Sequence, residues 1–136
     1  MTHFRPLPCA FSPMIDLAGT GESFGVDNDP AQSARFALAM ARHYVGGQDA
    51  LLLSPLYGDL RGLPPLLIHI GGDEILLSDA TRLRDAARRA GVDARLVVWS
   101  GMWHGWQLFG PFLFEAAPAV NAIGAFVRER LNLTCL

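Results

Sequence analysis

A chain of 136 residues has room for one domain and little more. With 51% hydrophobic and 18% charged residues it is too apolar for a disordered tail and must bury a core. Its net charge of -2 comes without a basic or acidic block, which argues against nucleic acid or an anionic membrane surface as a partner. In chain order, Met1 to Cys9 is broken by Pro6 and Pro8 and is unlike a signal peptide. Cys9-Ala10-Phe11-Ser12-Pro13 reads as a short strand stopped by proline, which cannot donate to a ladder. A polar loop follows from Ile15 to Pro30. Asp29 and Pro30 then suit the cap and first residue of a helix over 31–45. Phe36, Met40 and Tyr44 are spaced to share one face of that helix, and Gly46-Gly47 ends it. Residues 49–65 read as loop.

Leu66-Leu67-Ile68-His69-Ile70 is continuously apolar, as a parallel strand covered on both faces must be. A helix over 78–90 follows, with Ser78 or Asp79 expected as its cap, Leu83, Ala87 and Ala90 inward, and Arg82, Arg84, Arg88 and Arg89 in solvent. Arg95 to Trp99 reads as the next strand and 118–131 as the last helix. The order β-α-β-α-β-α predicts α/β architecture: one three-stranded parallel layer with flanking helices. The apolar runs are far too short to span a bilayer. The two cysteines, Cys9 and Cys135, lie at opposite ends. As a lone pair without a secretory signal they are expected to be free thiols in a reducing, cytoplasmic setting.

Two loops carry candidate chemistry. Gly71-Gly72-Asp73-Glu74-Ile75-Leu76 and Gly101-Met102-Trp103-His104-Gly105-Trp106 each follow a strand, so an acid and a histidine leave neighbouring strand ends. That is where open α/β sheets place their sites. A carboxylate that holds an imidazole in one tautomer is the second half of a Ser…Asp…His relay. From the residues alone, Asp73 is either that carboxylate or a helix cap, and His104 is either a base or part of an aromatic core. Their pairing on adjacent strand ends favours the relay. Gly21-Glu22-Ser23-Phe24-Gly25 fits G-x-S-x-G, but no buried strand precedes it and no apolar helix follows, so Ser23 is not read as a nucleophile. Gly19-Thr20-Gly21 fails as a dinucleotide fingerprint for want of a leading strand. Without HExxH, paired cysteines or converging histidines, no metal or other cofactor is expected.

Taken together, Ser12-Pro13-Met14-Ile15-Asp16-Leu17, Gly21-Glu22-Ser23, Ser54-Pro55-Leu56, Gly62-Leu63-Pro64-Pro65, Gly72-Asp73-Glu74-Ile75-Leu76, Gly91-Val92-Asp93 and Gly101-Met102 with His104 resemble the C-terminal half of the hormone-sensitive-lipase-like esterases. These are α/β-hydrolases that cleave carboxylic esters. The resemblance runs from about Leu7 to Leu131. It implies that Asp73 is the triad acid and His104 the base, with Glu74 and Ile75 flanking the acid. It also implies that Trp103 and Trp106 shape the acyl or alcohol pocket. The strands would be the sixth to eighth of the family sheet, and residues 1–136 one partial domain. The family's oxyanion loop and nucleophile elbow would lie upstream. The expected partners are a small ester substrate and either a complementing upstream half or a second copy, paired through the strand near Arg95 to Trp99. Two other readings stay open. One is a non-catalytic remnant that self-associates through exposed sheet edges. The other is part of a prolyl-oligopeptidase-type serine peptidase.

Overall fold

The computed structural model describes residues 9–26 and 28–131. Three strands, β1 (Cys9–Phe11), β2 (Leu66–Gly71) and β3 (Ala94–Trp99), form one parallel sheet in the order β1-β2-β3. The expected α/β layer is therefore present. Phe11 stands opposite His69, and Gly71 opposite Trp99, so β1, β2 and β3 deliver their C-terminal ends to one rim. The helices are α1 (Ala34–Val45), α2 (Ala50–Leu53), α3 (Leu77–Arg89) and α4 (Ala116–Leu131). Short 3-10 turns occupy Glu22–Gly25, Pro55–Tyr57 and Trp106–Phe112.

Strand alternation divides the core. Leu66, Ile68 and Ile70 pack in one cluster with Ala37 of α1 and with Ala80, Leu83 and Ala87 of α3. Each fully buried isoleucine there contributes about 1.5–3 kcal/mol. A smaller aromatic cluster holds Met102, Trp106 and Ala119, with Trp99 and Trp103 against it. His69 lies between Phe11 and Trp99 with ring centroids 6.2 and 5.9 Å away.

Several helical details differ from expectation. Helix α1 begins at Ala34, capped by the Ser33 hydroxyl accepting from Phe36 N–H. It buries Ala37, Ala41 and Val45, whereas Phe36, Met40 and Tyr44 are exposed. A spacing of four says which side chains share a face, not which face is inward. Small alanines let α1 lie close to its neighbours, and the bulkier stripe is left outside. Residues 49–65, expected as loop, contain α2 and a 3-10 turn. Asp79 is not the cap of α3. It lies inside the first turn, fully buried, where its Oδ2 accepts from Ile15 N–H and Asp16 N–H at 3.0 Å each. Arg82, expected in solvent, bridges Asp79 at 2.6 Å and Asp16 at 3.0 Å. The expectation for Cys135 lies outside the described residues. Cys9 has no disulfide partner among the described residues, and burial pushes its thiol above its ordinary value.

Candidate active site

The loops leaving β2 and β3 are sewn together by backbone bonds. Gly72 N–H donates to Trp99 C=O at 2.7 Å, and Asp73 N–H to Met102 C=O at 3.1 Å. The approach is so close that a Cβ on Gly71 would lie 2.2 Å from Met102 O, so only glycine fits there. This stitching brings the acidic turn and the histidine loop together.

The acid that meets the imidazole is Glu74. Its Oε2 lies 3.1 Å from His104 Nδ1. Its Oε1 accepts from the Ser12 hydroxyl at 2.7 Å and from Gly71 N–H at 2.6 Å. Glu74 is 2% exposed, and three donors compensate a carboxylate that would otherwise be costly to bury. The expected pairing of Asp73 with His104 is therefore corrected by one residue. Asp73 spends its backbone N–H on Met102, and its side chain is exposed, with no hydrogen-bond partner among the described residues. Adjacent residues of a tight turn point in different directions, so only one of the two acids can face the histidine.

His104 is half-buried. The bond from Glu74 holds its pKa above the ordinary 6.5; burial opposes this, and the charges of Glu74 and Asp29 add to the rise. Nε2 has no hydrogen-bond partner among the described residues, and His104 lines a cavity of about 480 Å³. Phe11, Leu108, Val120 and Ile123 make that cavity largely apolar, while Ser12 and Gln107 supply polar groups. An imidazole held at one nitrogen by a carboxylate and open at the other can accept and return a proton.

The other expected site residues are placed differently. Trp106 and Ile75 are 0% and 1% exposed and belong to the core, so neither lines the cavity beside His104. Trp103 is partly buried against the aromatic cluster, its ring edge-on to Phe109, and it does not line that cavity either. Large side chains next to a strand end fill the interior because they bury the most area. Ser23 is a fastening residue: its Oγ donates to Ile75 C=O and accepts from Ser78 N–H at 3.0 Å. It borders a separate hollow of about 640 Å³ that His104 does not line. Among the described residues, no serine or cysteine is hydrogen-bonded to His104.

Two contributors went unread as such in the sequence. Ser12 ends β1 with φ +44°, unusual for a non-glycine residue, and is almost fully buried. Asp29, expected as the cap of α1, lies before the actual cap, Ser33; its carboxylate accepts from Ala31 N–H and Gln32 N–H and also from His104 N–H. The only sequence signals were a serine at a strand end and an acid in a polar loop.

A profile of the alpha/beta hydrolase fold family matches residues 7–108. An acetyl-hydrolase from Streptomyces hygroscopicus is 40% identical over 134 residues, covering 90% of this chain and 44% of that protein. An esterase from Acinetobacter venetianus is 37% identical, covering 85% of this chain and 40% of its own length. Among solved structures, an esterase from the bacterial hormone-sensitive lipase family is 47% identical with a TM-score of 0.85, covering 91% of this chain and 44% of that one. The structure of EstE5 soaked with p-nitrophenyl butyrate is 38% identical with a TM-score of 0.86, covering 92% of this chain and 43% of that one. The chain thus spans less than half the length of these relatives. It belongs to the alpha/beta hydrolase family, as a segment of its hormone-sensitive-lipase-like esterase branch.

Proposed function

We propose that this segment supplies the acid and the base of a serine-esterase triad, with Glu74 as the acid and His104 as the base. The serine nucleophile and the oxyanion donors come from sequence beyond these residues. The observation that carries the reading is the 3.1 Å contact of Glu74 Oε2 with His104 Nδ1, its other oxygen held by Ser12 and Gly71. Glu74 keeps the proton on Nδ1, which leaves the Nε2 lone pair to take the proton of a serine hydroxyl as it attacks the ester carbonyl. The imidazolium is stabilised by Glu74 and returns the proton to the leaving alcohol. Phe11, Leu108, Val120 and Ile123 offer an apolar wall to one limb of a small ester.

The test is hydrolysis of a short p-nitrophenyl ester, because p-nitrophenyl butyrate was soaked into EstE5. The purified chain is combined with the remaining portion of the fold from the Streptomyces acetyl-hydrolase. Turnover is expected to fall about 10⁶-fold with His104→Ala and about 10⁴-fold with Glu74→Gln, and to survive Asp73→Asn. Loss with Asp73→Asn but not with Glu74→Gln would overturn the assignment of the acid.

A second reading is self-association. Among the described residues, the two outer strands of the order β1-β2-β3 each bond on one side only, and Val98 on β3 is half exposed. Unpaired strand edges recruit further strands, including those of a second copy. Gel filtration across a concentration series tests it; a monomer throughout would remove it.

A further inference from the structure

The loop bearing His104 is bounded by Gly101 and Gly105, both in the left-handed region at φ +70° and +75°. Glycines permit that path, but they do not hold it. Glu74 grips the ring, which leaves the question of what grips the backbone. Asp29 lies 75 residues earlier in sequence, and both its carboxylate oxygens are 3.3 Å from His104 N. The same carboxylate accepts from Ala31 N–H at 2.9 Å and Gln32 N–H at 3.2 Å, and Asp29 is 8% exposed. The bonds to Ala31 and Gln32 would suffice for a local turn. The bonds to His104 tie that turn to the loop leaving β3.

We propose that Asp29 is a positioning residue that clamps the backbone of His104, so that the imidazole is held at two points: main chain by Asp29, ring by Glu74. The inference rests on the reading of Glu74 and His104 as acid and base. A ring held by one hydrogen bond on a glycine-flanked loop can swivel about that bond. A second hold on the main chain removes the freedom and keeps Nε2 aimed at one place. A small displacement of a catalytic group is costly, because the reacting atoms must be held close and aligned. The charged groups facing His104 are Glu74, from the turn after β2, and Asp29, from the loop before α1; α4 contributes Val120 and Ile123 to the same cavity. Asp29 therefore also favours the imidazolium, in the same direction as Glu74.

The experiment is NMR on the chain itself, reading hydrogen exchange at the His104 amide and the titration of its ring. Asp29→Asn keeps the size of the side chain and an oxygen for Ala31 and Gln32, while removing the charge. Exchange at His104 should speed up about tenfold, the loss of a hydrogen bond to a charged acceptor. The ring should titrate closer to the ordinary 6.5. Glu74→Gln should move the ring further in the same direction. If Asp29→Asn changes neither readout while Glu74→Gln moves the ring, the clamp is refuted and the acid–base pair stands. If Glu74→Gln leaves the ring unmoved, the pair fails, and the exchange rate in Asp29→Asn still decides the clamp. If Asp29→Asn does not fold, wild-type exchange decides: an unprotected His104 amide overturns the proposal and a protected one supports it.

Discussion

Two buried acid clusters lie beyond the carboxyl ends of β1 and β2, and they are built on opposite principles. In one, Asp16 and Asp79, both 0% exposed, share the permanent cation of Arg82. Their remaining lone pairs are largely taken. Asp16 accepts from Ala18 N–H and from Thr20 through both its N–H and its hydroxyl, and Asp79 accepts from Ile15 N–H and Asp16 N–H. Burial pushes the Asp16 carboxyl up, but the Thr20 and Arg82 bonds outweigh it and leave Asp16 below the ordinary carboxylate range. Nothing is left over for chemistry. In the other cluster, Oε1 of Glu74 is taken by Ser12 and Gly71, but its Oε2 meets a histidine that titrates and keeps one nitrogen open. A structural acid cluster closes on an arginine. The Glu74 cluster ends instead on a group that can change charge.

The sharpest way to break this contrast is Arg82→Met, which keeps the aliphatic stem and removes the cation. Two buried carboxylates lose their compensation, and unfolding in urea should show a loss of about 3–5 kcal/mol. The His104 titration should be unmoved. A joint effect would mean that the clusters form one network. Ser12→Ala is the milder cut on the other side. It strips one donor from buried Glu74 and should cost about 1–3 kcal/mol in the same assay. It should also weaken the hold on His104, seen as broadening of its ring signals.

The smallest effect is a dependence of stability on pH, and it separates two histidines. Burial depresses His69, whereas Glu74 raises His104. A raised folded-state pKa stabilises the fold fully below 6.5, and that contribution fades as pH rises through the folded value. A depressed one works in reverse: the contribution from His69 is present above 6.5 and is lost as pH falls toward its folded value. Chemical denaturation across pH should show both limbs. Glu74→Gln should flatten the alkaline limb and His69→Leu the acid one. If either variant leaves its limb in place, the corresponding histidine is misassigned.

What could be read from the chain, and what could not, follows from range. Continuous apolarity at Leu66–Ile70, alternating with helical stretches, was enough for a parallel three-stranded layer, because the period and length of apolar runs are local consequences of burial. The two loops that matter were also legible, since glycines mark close turns at strand ends. The inward face of α1 was not. Phe36, Met40 and Tyr44 share a stripe, but only the packed neighbours decide which stripe is buried. The choice between Asp73 and Glu74 was undecidable from an adjacent acid pair. It depends on Asp73 N–H bonding to Met102 C=O and on Ser12 and Gly71 meeting Glu74, contacts between segments far apart in the chain. The roles of Asp29, Asp79 and Arg82 stayed hidden for the same reason. Local sequence dictates which elements form, whereas the pairing of buried charges is dictated by distance in space, and that exists only once the chain is folded.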